Sequence, residues 1–305
     1  MDVGLVLGGL AVGFVVGLTG MGGGALMTPM LVFFFGVNPL AAVSSDLVTS
    51  AIMKPFGAAV HLQHGTVNRA LVGWLVLGSV PSAFLGVLVL RALGRDTGIE
   101  EVVKTALGVA LLVAAFALIA KAYVTMAGRV RRRAKGVTEV ASARGALNLV
   151  ARPLPTILIG VVGGLVVGMT SVGSGSLMII ALMLVYPRLQ ASQLVGTDLV
   201  QAVPLVASAA IGHLLFGDFR LAVALSLLVG SIPGVLLGAI ASSRAPGGLI
   251  RRALALVLLA SGLKLLGVTT SVTAVILVVS LVLGPLAWMG ARRRNGLPAL
   301  RRAAA

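Results

Sequence analysis

The chain has 305 residues, with 24 Lys+Arg against 8 Asp+Glu and a formal net charge of +16, yet only 10% of residues are charged and 58% are hydrophobic. Soluble domains average about 25% charged residues, so this chain could not cover a folded surface of its size with them; soluble, disordered and fibrous classes are excluded and an integral membrane protein remains. With Cys 0, disulfides, thiolate metal sites and thiol nucleophiles are excluded as well.

In chain order, residues 3–19 form the first apolar run. Asp2 stands where a signal peptide carries Lys or Arg, and no cleavage site precedes the Gly-rich stretch, so this run is predicted as a retained segment. Further apolar segments are predicted over 24–36, 40–63, 68–90 and 100–124. A basic stretch, 125–153, separates them from a second set over 154–170, 175–186, 192–216, 219–242 and 249–267. A last segment, 270–290, leads into a basic tail. The domain reading is an N-terminal membrane repeat over 1–124, a cytoplasmic linker over 125–153, a C-terminal membrane repeat over 154–268, and an extra helix with its tail over 269–305.

The two sets are copies of one unit. At an offset of 151, TGMGGGALM (19–27) lies over TSVGSGSLM (170–178), matching Thr19 with Thr170, Gly22 with Gly173 and Gly24 with Gly175. At an offset of 152, SSDLV (44–48) lies over GTDLV (196–200), His61 and Gly65 over His213 and Gly217, and GSVPSAFLG (78–86) over GSIPGVLLG (230–238). The first two segments of each copy are shorter than the ~20 residues a bilayer crossing needs and meet at a Gly-rich break, which predicts a broken pair turning inside the membrane. Pro81 and Pro233 are predicted to kink matched helices.

Positive charge sets the orientation. Arg129, Arg131, Arg132, Arg133, Lys135, Arg144 and Arg152 crowd the linker, and Arg292, Arg293, Arg294, Arg301 and Arg302 the tail. With both inside, tracing the segments places Arg69, Arg188, Arg244, Arg251 and Arg252 inside too, against Arg91, Arg95, Lys104, Arg220 and Lys264 outside. Five segments per copy is an odd number, so the copies enter from opposite sides. The predicted fold is an all-α polytopic membrane protein: two inverted repeats of about five helical segments with Gly-broken short helices, plus one extra C-terminal helix. The expected location is the cell membrane, with linker and C-terminus cytoplasmic and N-terminus outside. Basic residues confined to short loops mark topology and lipid headgroup contact; no nucleic-acid partner is expected.

The Gly-rich breaks are the first candidate site. Gly22, Gly23 and Gly24 face Gly173, Ser174, Gly175 and Ser176 in the repeat, with Thr19, Thr28 and Thr170 as further donors. A helix restarting after a break points partial positive charge at it, and bare backbone lets an anion approach closely. The alternative is tight helix packing through small residues. Asp46 and Asp198 occupy equivalent positions inside predicted segments, where carboxylates mark ion or proton pathways; the alternative is helix N-capping by Ser44-Ser45-Asp46 and Thr197-Asp198. At about 100° per residue, Ser50, Lys54, Gly57 and His61 fall within about 80° of Asp46, a polar stripe on one face. Lys54 is an anion partner or a snorkelling residue, and its counterpart is Val206. His61, His64 and His213, at segment ends, read as interfacial residues or as proton relays. Lys121, like Lys54, lies within or near the end of a segment.

A Gly-rich break followed by an SDLV-type motif and His61-x3-Gly65, with GSxPxxxLG, once per half, resembles the TauE/SafE family of sulfite and organosulfonate exporters over about residues 4–268. The resemblance implies secondary transport of a small, often sulfur-containing anion, with the Gly-rich regions near the site. Where family members commonly read Thr-Ser-Leu, this chain has Ser45-Asp46-Leu47 and Thr197-Asp198-Leu199. Carboxylates beside an anion site call for protonation or pairing, or else for a cationic or zwitterionic substrate.

The expected function is therefore alternating-access transport of a small anion, with protons as a candidate coupling ion; a passive channel along the same path is the alternative. No GxxxxGK[ST] loop is present, so no ATP hydrolysis, cofactor or metal is expected. An intramembrane enzyme using Ser174 or Ser176 with His213 as base lacks a GxSxG elbow; no enzymatic activity is expected.

Overall fold

A computed structural model describes residues 2–19, 23–63, 65, 67–92, 97–134, 151–187, 189, 191–242 and 247–294. Gly22, His64, Arg188 and most of the basic linker and tail lie outside the described residues. The described residues form helices α1 (Val3–Thr19), α2 (Gly24–Phe34), α3 (Pro39–Gln63), α4 (Arg69–Ala92), α5 (Thr97–Ala134), α6 (Pro153–Thr170), α7 (Leu177–Val185), α8 (Ala191–Phe216), α9 (Leu221–Ser242), α10 (Gly247–Leu265) and α11 (Thr270–Arg294). The chain is an all-α polytopic membrane protein. Among the described residues six helices are long and apolar enough to cross a membrane, within α4, α5, α6, α8, α9 and α11, while α1 and α2 are apolar but shorter.

Local chemistry explains the boundaries. Asn38 precedes Pro39 and accepts the Leu40 amide at 2.9 Å, and Asn68 accepts the Leu71 amide at 3.1 Å, so both cap the helices they precede. Proline at the first turn also suits α3 and α6. α6 ends at Ser171, in the left-handed region at φ 58, with its amide returning to the Val167 carbonyl at 2.7 Å. α5 continues to Ala134, into the basic stretch; residues 125–134 hold no proline and a single weak helix former, Gly128.

Contacts are reciprocal between the two sets of helices. α1 packs along α9 and α4 along α6; α3 pairs with α8 and α5 with α10; α4 meets α8 as α3 meets α9. Without a hydrophobic drive between helices in lipid, close backbone packing carries such association. The matched glycines are where it happens. A Cβ on Gly9 would stand 2.7 Å from the Leu227 carbonyl oxygen, and one on Gly86 2.7 Å from that of Leu165. Small-residue packing thus belongs to the GSxPxxxLG helices and their partners. α11 adds an outer layer against α10, with Val272, Val275, Val278 and Leu281 exposed.

Candidate functional site

The two breaks meet in the middle of this arrangement. α2 starts at Gly24, and its N-terminus lies so close to the second break that a Cβ on Gly24 would overlap the Ser171 carbonyl. Gly23 faces α3: a Cβ there would lie 3.4 Å from Ser50 Oγ and 3.7 Å from Asp46 Oδ1. The second break, residues 171–176, is buried throughout. Its backbone takes positive φ at Ser171, Gly173 and Gly175, at 58, 137 and 92. The amides of Leu177 and Met178 both return to the Gly173 carbonyl, starting α7.

α3 supplies the polar groups. Asp46 lies well inside α3 and Asp198 well inside α8, each 0–2% exposed; the helices begin at Pro39 and Ala191, so neither carboxylate caps a helix. Asp46 accepts hydroxyl bonds from Ser171 at 2.7 Å, Thr28 at 2.9 Å and Ser50 at 3.2 Å. Lys54 is 6% exposed and donates to Ser174 Oγ at 2.7 Å. It is therefore not snorkelling: a cation of the first repeat reaches into the break of the second, and it also faces Asp46 and Asp198. Asp198 accepts from Gln201 at 3.1 Å. Lys121, buried on α5, faces Asp198 as well.

The remaining candidates sort by geometry. Thr170 donates to the Val166 carbonyl at 2.6 Å and so finishes α6. Ser176 is buried just before α7, Gly24 touches the second break, Gly23 faces α3, and Gly173 and Gly175 are buried within the second break. Thr19 is the last residue of α1. His61 is half-buried near the end of α3. His213 corrects the interfacial reading: it is 0% exposed, bonded through Nδ1 to Ser44 Oγ and through Nε2 to the Gly168 carbonyl, each at 2.8 Å. It is buried because the end of α8 packs against α3 and α6. A carbonyl only accepts, so Nε2 carries a hydrogen. These bonds engage His213 with Ser44 and Gly168 rather than with Ser174 or Ser176. Among the described residues no group of three His, Asp or Glu could hold a metal.

Two contributors went unselected in the sequence. Gln201 lies three residues after Asp198 on the same helix face, and also accepts from Ser79 at 3.3 Å. Lys121 carries the signal that singled out Lys54, a lone lysine in an apolar run.

The family profile described as Sulfite exporter TauE/SafE matches residues 5–265. The chain belongs to the TauE/SafE family. It is 41% identical over 267 residues to the "Probable membrane transporter protein YjnA" of Bacillus subtilis (strain 168), covering 87% of this chain and 100% of that protein. The "Probable membrane transporter protein YunE" of the same organism is 33% identical over 93 residues, 30% of this chain and 32% of that protein. No solved structure matches. Family and full-length relative together identify a multi-pass membrane transporter, whose breaks, α3 and α8 form the candidate site.

Proposed function

We propose that this member of the family is a secondary transporter of a small anion, sulfite or an organosulfonate, at the cell membrane, working by alternating access with protons as the coupling ion. The observation that carries the reading is the Lys54–Ser174 bond at 2.7 Å. It puts a buried ammonium group at the break that leads into the N-terminus of α7, where an anion gains charge-assisted bonds and backbone donors together. Gly23, Gly24, Gly173, Ser174, Gly175 and Ser176, with Thr170 at the margin of the second break, surround the anion. Asp46 and Asp198 provide carboxylates for coupled protonation, and His61 and His213 are candidate relays.

The reciprocal helix contacts support an inverted pair of repeats, because exchanging α1–α5 with α6–α10 keeps the main helix pairings. That symmetry is the usual basis for two alternating states of one fold. The linker and C-terminus are then cytoplasmic and the N-terminus external. The two buried carboxylates favour a second reading, a zwitterionic substrate whose cationic end meets Asp198.

Purified protein in liposomes on a solid-supported membrane, pulsed with sulfite, sulfoacetate, taurine and chloride at two pH values, tests both. A saturable signal for sulfite or sulfoacetate that grows with an imposed proton gradient is expected. A response to taurine alone selects the zwitterion. A non-saturating signal that no gradient drives uphill would mean a passive path.

A further inference from the structure

The two carboxylates stand at equivalent places in the repeat, yet their surroundings differ. Asp46 accepts three hydroxyl bonds, from α2, from α3 itself and from the second break. Three hydroxyl donors stabilise the ionised carboxylate, so Asp46 keeps its charge without a lysine turned toward it. Asp198 accepts a side-chain bond from Gln201, and the charges of Lys121 and of Lys54, which also acts on Asp46, act on it. Lysines on flexible four-carbon stems can turn toward a bound anion.

Charge balance makes the difference matter. Among the described residues the buried carboxylates are Asp46 and Asp198, and the buried lysines are Lys54 and Lys121. Together they sum to zero. A monoanion entering this set would leave one uncompensated negative charge away from water, which is costly. A single proton restores neutrality.

We propose that this proton is carried by Asp198, with Lys54 and Lys121 as its exchangeable counter-ions, while Asp46 is a fixed tie between the breaks. This rests on the anion-transport reading above and adds one proton per monoanion. The proton comes from water on the side to which the site is open and forms an O–H bond on the Asp198 carboxyl as the lysines turn to the anion. It returns to water on the opposite side when the anion leaves, and no bond to the anion is made or broken.

The groups around Asp198 are consistent with that role. α3 presents Lys54 and α5 presents Lys121; α4 and α7 present Ser79 and Met178, both bonded to Gln201. α6 gives its Gly168 carbonyl to His213, away from Asp198. His213 itself, fifteen residues further along α8, stands about 22 Å away at about 1.5 Å per residue.

The test is infrared difference spectroscopy on the purified full chain in lipid, perfused with methanesulfonate, a monoanion whose charge is fixed across ordinary pH. Bound anion is read in the same spectra from its sulfonate bands, and sulfite is run as a second probe. Binding should bring up a protonated-carboxyl band in the wild type and in Asp46→Asn, lose it completely in Asp198→Asn, and shift it in Asp198→Glu. If Asp46→Asn does not fold, the two Asp198 variants still decide. Anion bound without the band, or a band that survives Asp198→Asn, overturns the assignment and leaves anion recognition standing. Failure of both probes to bind the wild type removes the anion reading and this proposal with it.

Discussion

Replacing Lys54 with Met keeps the length and most of the volume of the side chain while removing its charge. In the structure Lys54 is 6% exposed and its ammonium group is bonded to Ser174 at 2.7 Å. A hydrogen bond to a charged group contributes about 1.5–3 kcal/mol, and each ~1.4 kcal/mol is tenfold in affinity. Lys54→Met should therefore weaken anion binding roughly 10- to 140-fold, measured as the half-saturating concentration of the transport current. The same change leaves Asp46 and Asp198 short of a counter-charge, which costs stability of its own. Adding Asp198→Asn should recover thermal stability in detergent but not affinity, which separates folding from recognition. An unchanged half-saturating concentration in Lys54→Met would refute the placement of the anion beside this residue.

Reporters fused at residue 2 and residue 305 should fall on opposite sides of the membrane; the same side for both would contradict the inverted topology. Ser171→Ala loses the bond to Asp46 and keeps a left-handed backbone, while Ser171→Gly loses the bond and relieves about 1–2 kcal/mol of backbone cost. Thermal unfolding in detergent should accordingly rank Ser171→Ala below Ser171→Gly, and the reverse order would mean that the φ of 58 is not strained. At the tight crossing of α4 and α6, Gly86→Ala should destabilise by about 1–3 kcal/mol through overpacking. At Gly57, where a Cβ would meet nothing within 4 Å, the same change should be near neutral; equal effects at both positions would contradict the account of helix packing.

Much of the fold was legible because a bilayer demands long apolar runs and charge interrupts them. The predicted segment 3–19 coincides with α1, 154–170 differs from α6 by one residue, and 40–63 by one residue from α3. The stripe on α3 was legible too, since 3.6-residue periodicity alone puts Asp46, Ser50 and Lys54 on one face, and all three are buried. What periodicity cannot give is the partner across a gap of a hundred residues. That Asp46 meets Ser171, Lys54 meets Ser174, and Lys121 faces Asp198 depends on how α3 and α5 pack against the second repeat. His213 was misread for the same reason. It sits near the end of its own helix, and only the neighbouring α3 and α6, with Ser44 and Gly168, bury it. α5 runs on to Ala134, inside the predicted linker, because Arg and Lys are good helix formers and a run of them does not end a helix.

Because the chain contains no cysteine, a single thiol at Ser174 tests the central claim most directly. Ser174→Cys, reconstituted in liposomes of known orientation, is treated with a membrane-impermeant maleimide from either side, with and without sulfoacetate. Alternating access to a site where the breaks meet predicts labelling from both sides, slow because the position is 7% exposed, and protection by the anion from both. Labelling from one side only, or labelling that no anion slows, would contradict it.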